Sequence, residues 1–81
     1  MKAVGQEVQV SLAPNGSPQH LTWAGRVYPV GTVLDEWRYG GRWWLGEPPR
    51  TCYRLQAGAL TVEVHREDGP SPRWWLARVQ D

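Results

Sequence analysis

The sequence predicts an all-β fold in a single small domain. Alternating apolar and polar runs recur along it, and no window carries the i, i+3, i+4, i+7 apolar stripe of a helix. Nine Gly and seven Pro cut the chain into short pieces. Six or seven short antiparallel strands follow from that reading. They form either a strongly curved sheet or a small SH3-like barrel, and a barrel would remove the open edges that invite aggregation.

The elements follow in order. Val8, Val10 and Leu12 alternate with Glu7, Gln9 and Ser11, the period of a half-buried strand. Pro14-Asn15-Gly16-Ser17-Pro18 breaks the chain into a turn. The stretch from Leu21 to Arg38 reads as two strands, Leu21–Val30 and Thr32–Arg38, with Gly25 and Gly31 marking bends or bulges and Pro29 confining its strand to an edge or a bulge. Tyr39-Gly40-Gly41 turns into a short strand, Arg42-Trp43-Trp44-Leu45, and Gly46-Glu47-Pro48-Pro49 is an extended connector.

Arg50–Gln56 and Ala59–Arg66 then form a hairpin about Ala57-Gly58. A two-residue loop pairs Leu55 with Leu60, Tyr53 with Val62 and Thr51 with Val64 on one face. Arg50, Cys52 and Arg54 fall on the other face, opposite His65, Glu63 and Thr61. A bulge at Gly58 would shift this pairing. Glu67–Pro72 is a polar loop and Arg73–Gln80 the last strand.

At 81 residues the chain makes one domain, residues 1–81, and a core this small needs large side chains. Six Trp and three Tyr, with no Phe, supply them. So many indole N–H groups in so short a chain suggest that some rings sit at a surface with a use. Cys52 is the sole cysteine, so no internal disulfide is available. Met1-Lys2 leads into an alternating run with neither a signal-peptide h-region nor an apolar span, which gives a cytoplasmic expectation and no membrane. A net charge of +1 argues against attachment to DNA by bulk electrostatics.

Little in the sequence suggests catalysis or a metal. One Cys and two His, far apart and without a paired spacing, do not make a zinc site. Cys52 near His65 is the nearest approach to a nucleophile and its base, but a lone strand cysteine is ordinarily a small packed residue. Asp35 and Glu36 are neighbours and point to opposite faces, which suits no paired acid–base role. No phosphate-binding glycine loop is present, and no cofactor is expected.

What remains is the segment Trp37–Arg54, which holds three Trp, two Tyr, four Arg and a single acid, Glu47. Its candidate binding residues are Trp37, Arg38, Arg42, Trp43, Trp44, Arg50, Tyr53 and Arg54. Aromatics interleaved with Arg suit a single-stranded nucleic-acid platform, with bases stacked on rings and guanidinium groups on phosphates. The same residue types dominate protein interface hot spots. They can also be purely structural, as packed rings and cation–π pairs.

The strings WAGRVYPVGTVLDEWR, GRWW, RTCYRL and WWLARV resemble a small bacterial domain family of unknown function. The pattern is also similar to the C-terminal segment of ImuB-like proteins, relatives of Y-family polymerases in translesion mutagenesis. The resemblance covers about residues 21–81 and leaves 1–20 as an extra N-terminal strand and loop. Cys52 stands where the family often has Tyr. The resemblance supplies no catalytic residues and implies a link to DNA-damage tolerance. The sequence thus points to a non-catalytic module docking onto a translesion or repair protein, with a single-stranded nucleic-acid binder as the alternative and a purely structural domain as the third reading.

Overall fold

The computed structural model describes residues 2–40, 43–46, 48–69 and 72–80. Six strands run in sequence: β1 (Lys2–Leu12), β2 (Pro18–Trp23), β3 (Arg26–Tyr39), β4 (Arg50–Ala57), β5 (Leu60–Glu67) and β6 (Arg73–Gln80). Each pairs antiparallel with the next and β6 pairs with β1, so the sheet closes into a barrel. The barrel form of the expectation is the one adopted. Among the described residues the only helical element is a single 3-10 turn, Trp43–Leu45.

The lumen is filled by alternate residues of the strands. Leu21, Leu55, Val62, Val64 and Leu76 are inaccessible to solvent, with Tyr53 and Trp74 beside them. In the Trp74-Trp75 pair the first ring points in and the second lies on the outer face, as strand alternation requires. The barrel is pinned shut on its outside by Arg73 of β6, whose Nε and Nη2 donate to the Glu7 carboxylate of β1 at 2.9 and 3.1 Å.

Four local expectations are corrected. The segment from Leu21 to Arg38 does not break at Gly31. The break comes at Ala24-Gly25, where both residues adopt positive φ (52° and 76°), and β3 then runs through Pro29 and Gly31. Pro29 is tolerated because its missing N–H falls at the last pair with β2, His20↔Pro29, while its carbonyl accepts Gly58 N–H at 3.1 Å. Gly31 is absorbed by a register shift between Val30 and Thr32.

The hairpin turns at Gly58-Ala59, one residue later than expected. Gly58 has φ 60° while Ala59 is not among the positive-φ residues, the arrangement of a type II′ turn with Gly first. The pairs are Leu55↔Val62, Tyr53↔Val64 and Thr51↔Arg66, with Cys52 opposite His65 and Arg54 opposite Glu63. Each partner moves by two residues, so the inward set is unchanged. Finally, Trp43-Trp44-Leu45 forms the 3-10 turn and not a strand, and β5 continues through Glu67.

Candidate functional site

β3 is the element that positions the candidate face. Val27, Tyr28, Val30, Thr32 and Val33 give its first part strong strand preference. Its first four residues pair with β2, ending at Pro29, whereas β4 accompanies it from Val30 to Tyr39. Beyond Pro29, therefore, β3 is bonded on one side only among the described residues. A second register shift between Val33 and Asp35 displaces Leu34 from the ladder.

The consequence is exposure. Val33, Leu34, Trp37 and Tyr39 on β3 are all open to solvent, and the 3-10 turn adds Trp44 and Leu45 at 62% and 63%. This run of large apolar side chains occupies one strand and the turn that follows it. Single exposed apolar residues need no explanation, but a concentration of them does.

Register fixes what lies beside the run. On the outer face Tyr39 is opposite Arg50, which is opposite Glu67. Trp37 is opposite Cys52, then His65, then Trp75. Asp35 is opposite Arg54, then Glu63, then Arg78. The middle row thus carries a ring at each end, and the flanking rows alternate in charge.

Most of the charge is already engaged. Arg54 Nη2 lies 3.9 Å from Asp35 Oδ2. His65 Nε2 and Glu63 Oε2 are 2.7 Å apart. Trp75 Nε1 donates to Glu67 at 2.9 Å, and the Arg73 guanidinium sits 5.2 Å over the Trp75 ring. Arg38 lies on the opposite face of β3, in register with Thr51, and its Nη2 donates to Asp68 Oδ2 at 2.7 Å. Asp68 also accepts from Thr51 Oγ1 and from Arg66, so one carboxylate ties β3, β4 and β5 together at that end of the barrel.

The expected binding residues therefore divide. Trp37, Arg50 and Arg54 share the outer face and Trp44 is exposed on the adjoining turn. Arg38 belongs to the Asp68 cluster. Tyr53 is part of the core, 5% exposed and stacked on Trp74, so its ring takes no part in the surface. Arg42 and the Trp43 side chain lie outside the described residues, as do Gly41 and Glu47 of the neighbouring turn and connector.

Leu34, Tyr39 and Leu45 were not among the expected binding residues, Tyr39 having been read as part of a turn. The adjacent apolar pair Val33-Leu34, which violates strand alternation, is the signal that could have found the first. Leu45 carried no comparable signal.

Cys52 faces His65 but is not poised as a nucleophile. It is 1% exposed, and burial first, then the nearby Glu63 charge, push its thiol above the ordinary value. A buried neutral thiol is the opposite of an activated one. Away from this face, a concavity lies where β1 runs past the end of β2, lined by Gln6, Gln9, Thr22 and Trp23, with Trp23 Nε1 donating to Gln6 Oε1 at 3.2 Å. No helix among the described residues is long and apolar enough to cross a membrane.

Comparison with protein families matches residues 2–81 to DUF6504, a domain of unknown function. The chain belongs to this family. The match starts at residue 2, so β1 is part of the DUF6504 domain, whereas the resemblance noted in the sequence began near residue 21. No curated protein and no solved structure matches the chain significantly.

Proposed function

We propose that this DUF6504 domain is a non-catalytic, cytoplasmic module that docks a protein partner through the exposed face of β3 and the Trp43–Leu45 turn. The observation that carries the reading is the concentration of Leu34, Trp37, Tyr39, Trp44 and Leu45 in solvent on one strand and its following turn. Aromatic anchors with Arg at the margin are the composition of interface hot spots. Trp37, Tyr39 and Trp44 are the anchors, and Arg50 and Arg54 stand at the rim. The partner we favour is a translesion or repair protein, on the strength of the sequence resemblance alone.

A single-stranded nucleic acid is the less favoured occupant. Stacking rings are present, but Arg38, Arg54, Arg66 and Arg73 each face a carboxylate of this chain. Phosphate would have to compete with those contacts.

The test is a photocrosslinking residue at Leu45, in wild-type and Trp44→Glu backgrounds, in cells under DNA damage. A translesion or repair protein crosslinked in the first and lost in the second supports the reading. Identical products in both would refute it. A labelled single strand titrated at two salt concentrations decides the alternative, since phosphate contacts impose a salt slope.

A further inference from the structure

The open edge of β3 carries information separate from its exposed face. Glu36 N–H is bonded to the Asp35 carboxylate, Oδ1 at 2.9 Å, and so points away from β4. Arg38, two residues on, presents its backbone to the same side, while Trp37 between them is turned toward β4. Glu36 and Arg38 are thus the charged residues whose N–H and C=O groups line the open edge. An unpaired edge is a template for another strand.

Antiparallel pairing joins edge-facing residues only to edge-facing residues. About this segment a second copy of β3 therefore has three registers: Glu36 on Glu36, Arg38 on Arg38, or Glu36 on Arg38. The first two set like charges opposite each other, which is destabilising. The third places opposite charges together twice, by symmetry, and sets Trp37 of one copy against Trp37 of the other. That Trp pair is the non-hydrogen-bonded type, whose side chains approach most closely. The Glu36 carboxylate makes no hydrogen bond or ion pair among the described residues, and its charge is felt by the Tyr53 hydroxyl. Arg38 is 67% exposed despite its bond to Asp68, and a guanidinium has five donors to share.

We infer that two copies of the chain pair through the open edges of their β3 strands, antiparallel, with Glu36 of each copy opposite Arg38 of the other. The occupant of the edge is a second copy because the Glu-Trp-Arg string complements itself when reversed, and charge leaves one register. The Asp35 side chain must release Glu36 N–H on pairing, which makes the dimer weak and dependent on concentration. The inference stands on the backbone edge and not on the docking reading, so a monomeric protein would leave that reading intact.

Sedimentation equilibrium from about 1 µM to about 1 mM spans the affinities expected of a weak pair. The wild-type mass should rise toward twice that of the chain. Glu36→Arg and Arg38→Glu should each weaken association by at least ~10-fold, the ratio set by about 1.4 kcal/mol. The double variant, and an equimolar mixture of the two single variants, should restore it. Because Arg38→Glu also loses Asp68, a second measurement uses Trp37→Cys in a Cys52→Ser background, which should oxidise to a disulfide-linked dimer across the two-fold axis. A wild-type monomer at every concentration overturns the inference, and so does failure of the folded double variant to re-associate. Absence of the Trp37→Cys crosslink overturns the register.

Discussion

Tyr53 on β4 stacks on Trp74 on β6, with ring centroids 5.7 Å apart and 29° between the planes, although β5 lies between their strands. The contact exists because both side chains point into a lumen narrow enough for rings on non-adjacent strands to meet. Arg66 closes over the pair from the end of the barrel, with its guanidinium 5.8 Å from the Trp74 ring.

Truncating this ring should therefore be costly. Trp74→Ala is expected to destabilise the domain by about 3–5 kcal/mol, against a total on the order of 5–15 kcal/mol for a domain. Trp75→Ala loses an exposed-side hydrogen bond and a cation–π contact, on the order of 1 kcal/mol. Urea denaturation of the two variants checks the ranking, and equal losses would mean that the two rings are not divided between core and surface.

Cys52 offers a probe of opening. Its thiol is buried and held above its ordinary value chiefly by that burial. At pH 8 a thiol-specific disulfide reagent should react on the order of 100-fold more slowly with native protein than with protein in denaturant. Similar rates in the two states would show that β4 is not covered at this position.

Asp68 gathers Arg38, Thr51 and Arg66, and its own N–H donates to Pro49 O at 2.9 Å. Asp68→Ala removes the shared acceptor from partly buried donors, at an expected cost of about 1–3 kcal/mol. Arg38→Ala removes one exposed arm and should cost less. A thermal melt of both variants tests the order.

The Glu7–Arg73 pair across the closing seam gives the acid dependence. The hydrogen bond from Arg73 is the largest cause holding the Glu7 carboxyl below its usual value. The folded protein therefore takes up that proton later than the unfolded chain does. The stabilisation is present above the unfolded-chain value near ~4.3 and is lost as pH falls through the lower folded value. Both side chains are half exposed, so the effect is small. Wild type and Glu7→Gln should differ in urea midpoint at pH 6 and converge in strong acid; a gap that persists at the acid end would contradict the assignment.

How much of this was legible depends on the physics behind each signal. Strand alternation made Val8, Leu55, Val62 and Leu76 readable as inward residues, because burial of one face imposes it. The exact turn at Gly58-Ala59 was not, since Gly58 can occupy either central position and only the burial of Ala57 decides. Gly25 marked a bend, but nothing in the composition set the strand break there in preference to Gly31, or announced Ala24 beside it at φ 52°. Trp43-Trp44 reads as strand from its aromatics, but a 3-10 turn depends on how β3 and β4 are joined. Of the residues singled out by type, Trp37, Arg50 and Arg54 fall together on the outer face. Tyr53 was misplaced among the binding residues, although its alternation with Thr51 and Leu55 already set it inward.

The pairing of β1 with β6 has a kinetic meaning as well. Lys2 lies opposite Val79, so the last seam joins segments separated by almost the whole chain. Every other seam forms between consecutive strands, and hairpins of that kind zip in about 1–10 µs. Closure must instead overcome the loop entropy of the intervening residues. On a ribosome, Lys2–Val8 emerges long before its partner strand exists, and its backbone stays open until Arg73–Gln80 arrives. The ring is completed last, and the interval before completion is when this chain is most exposed to pairing with the wrong strand.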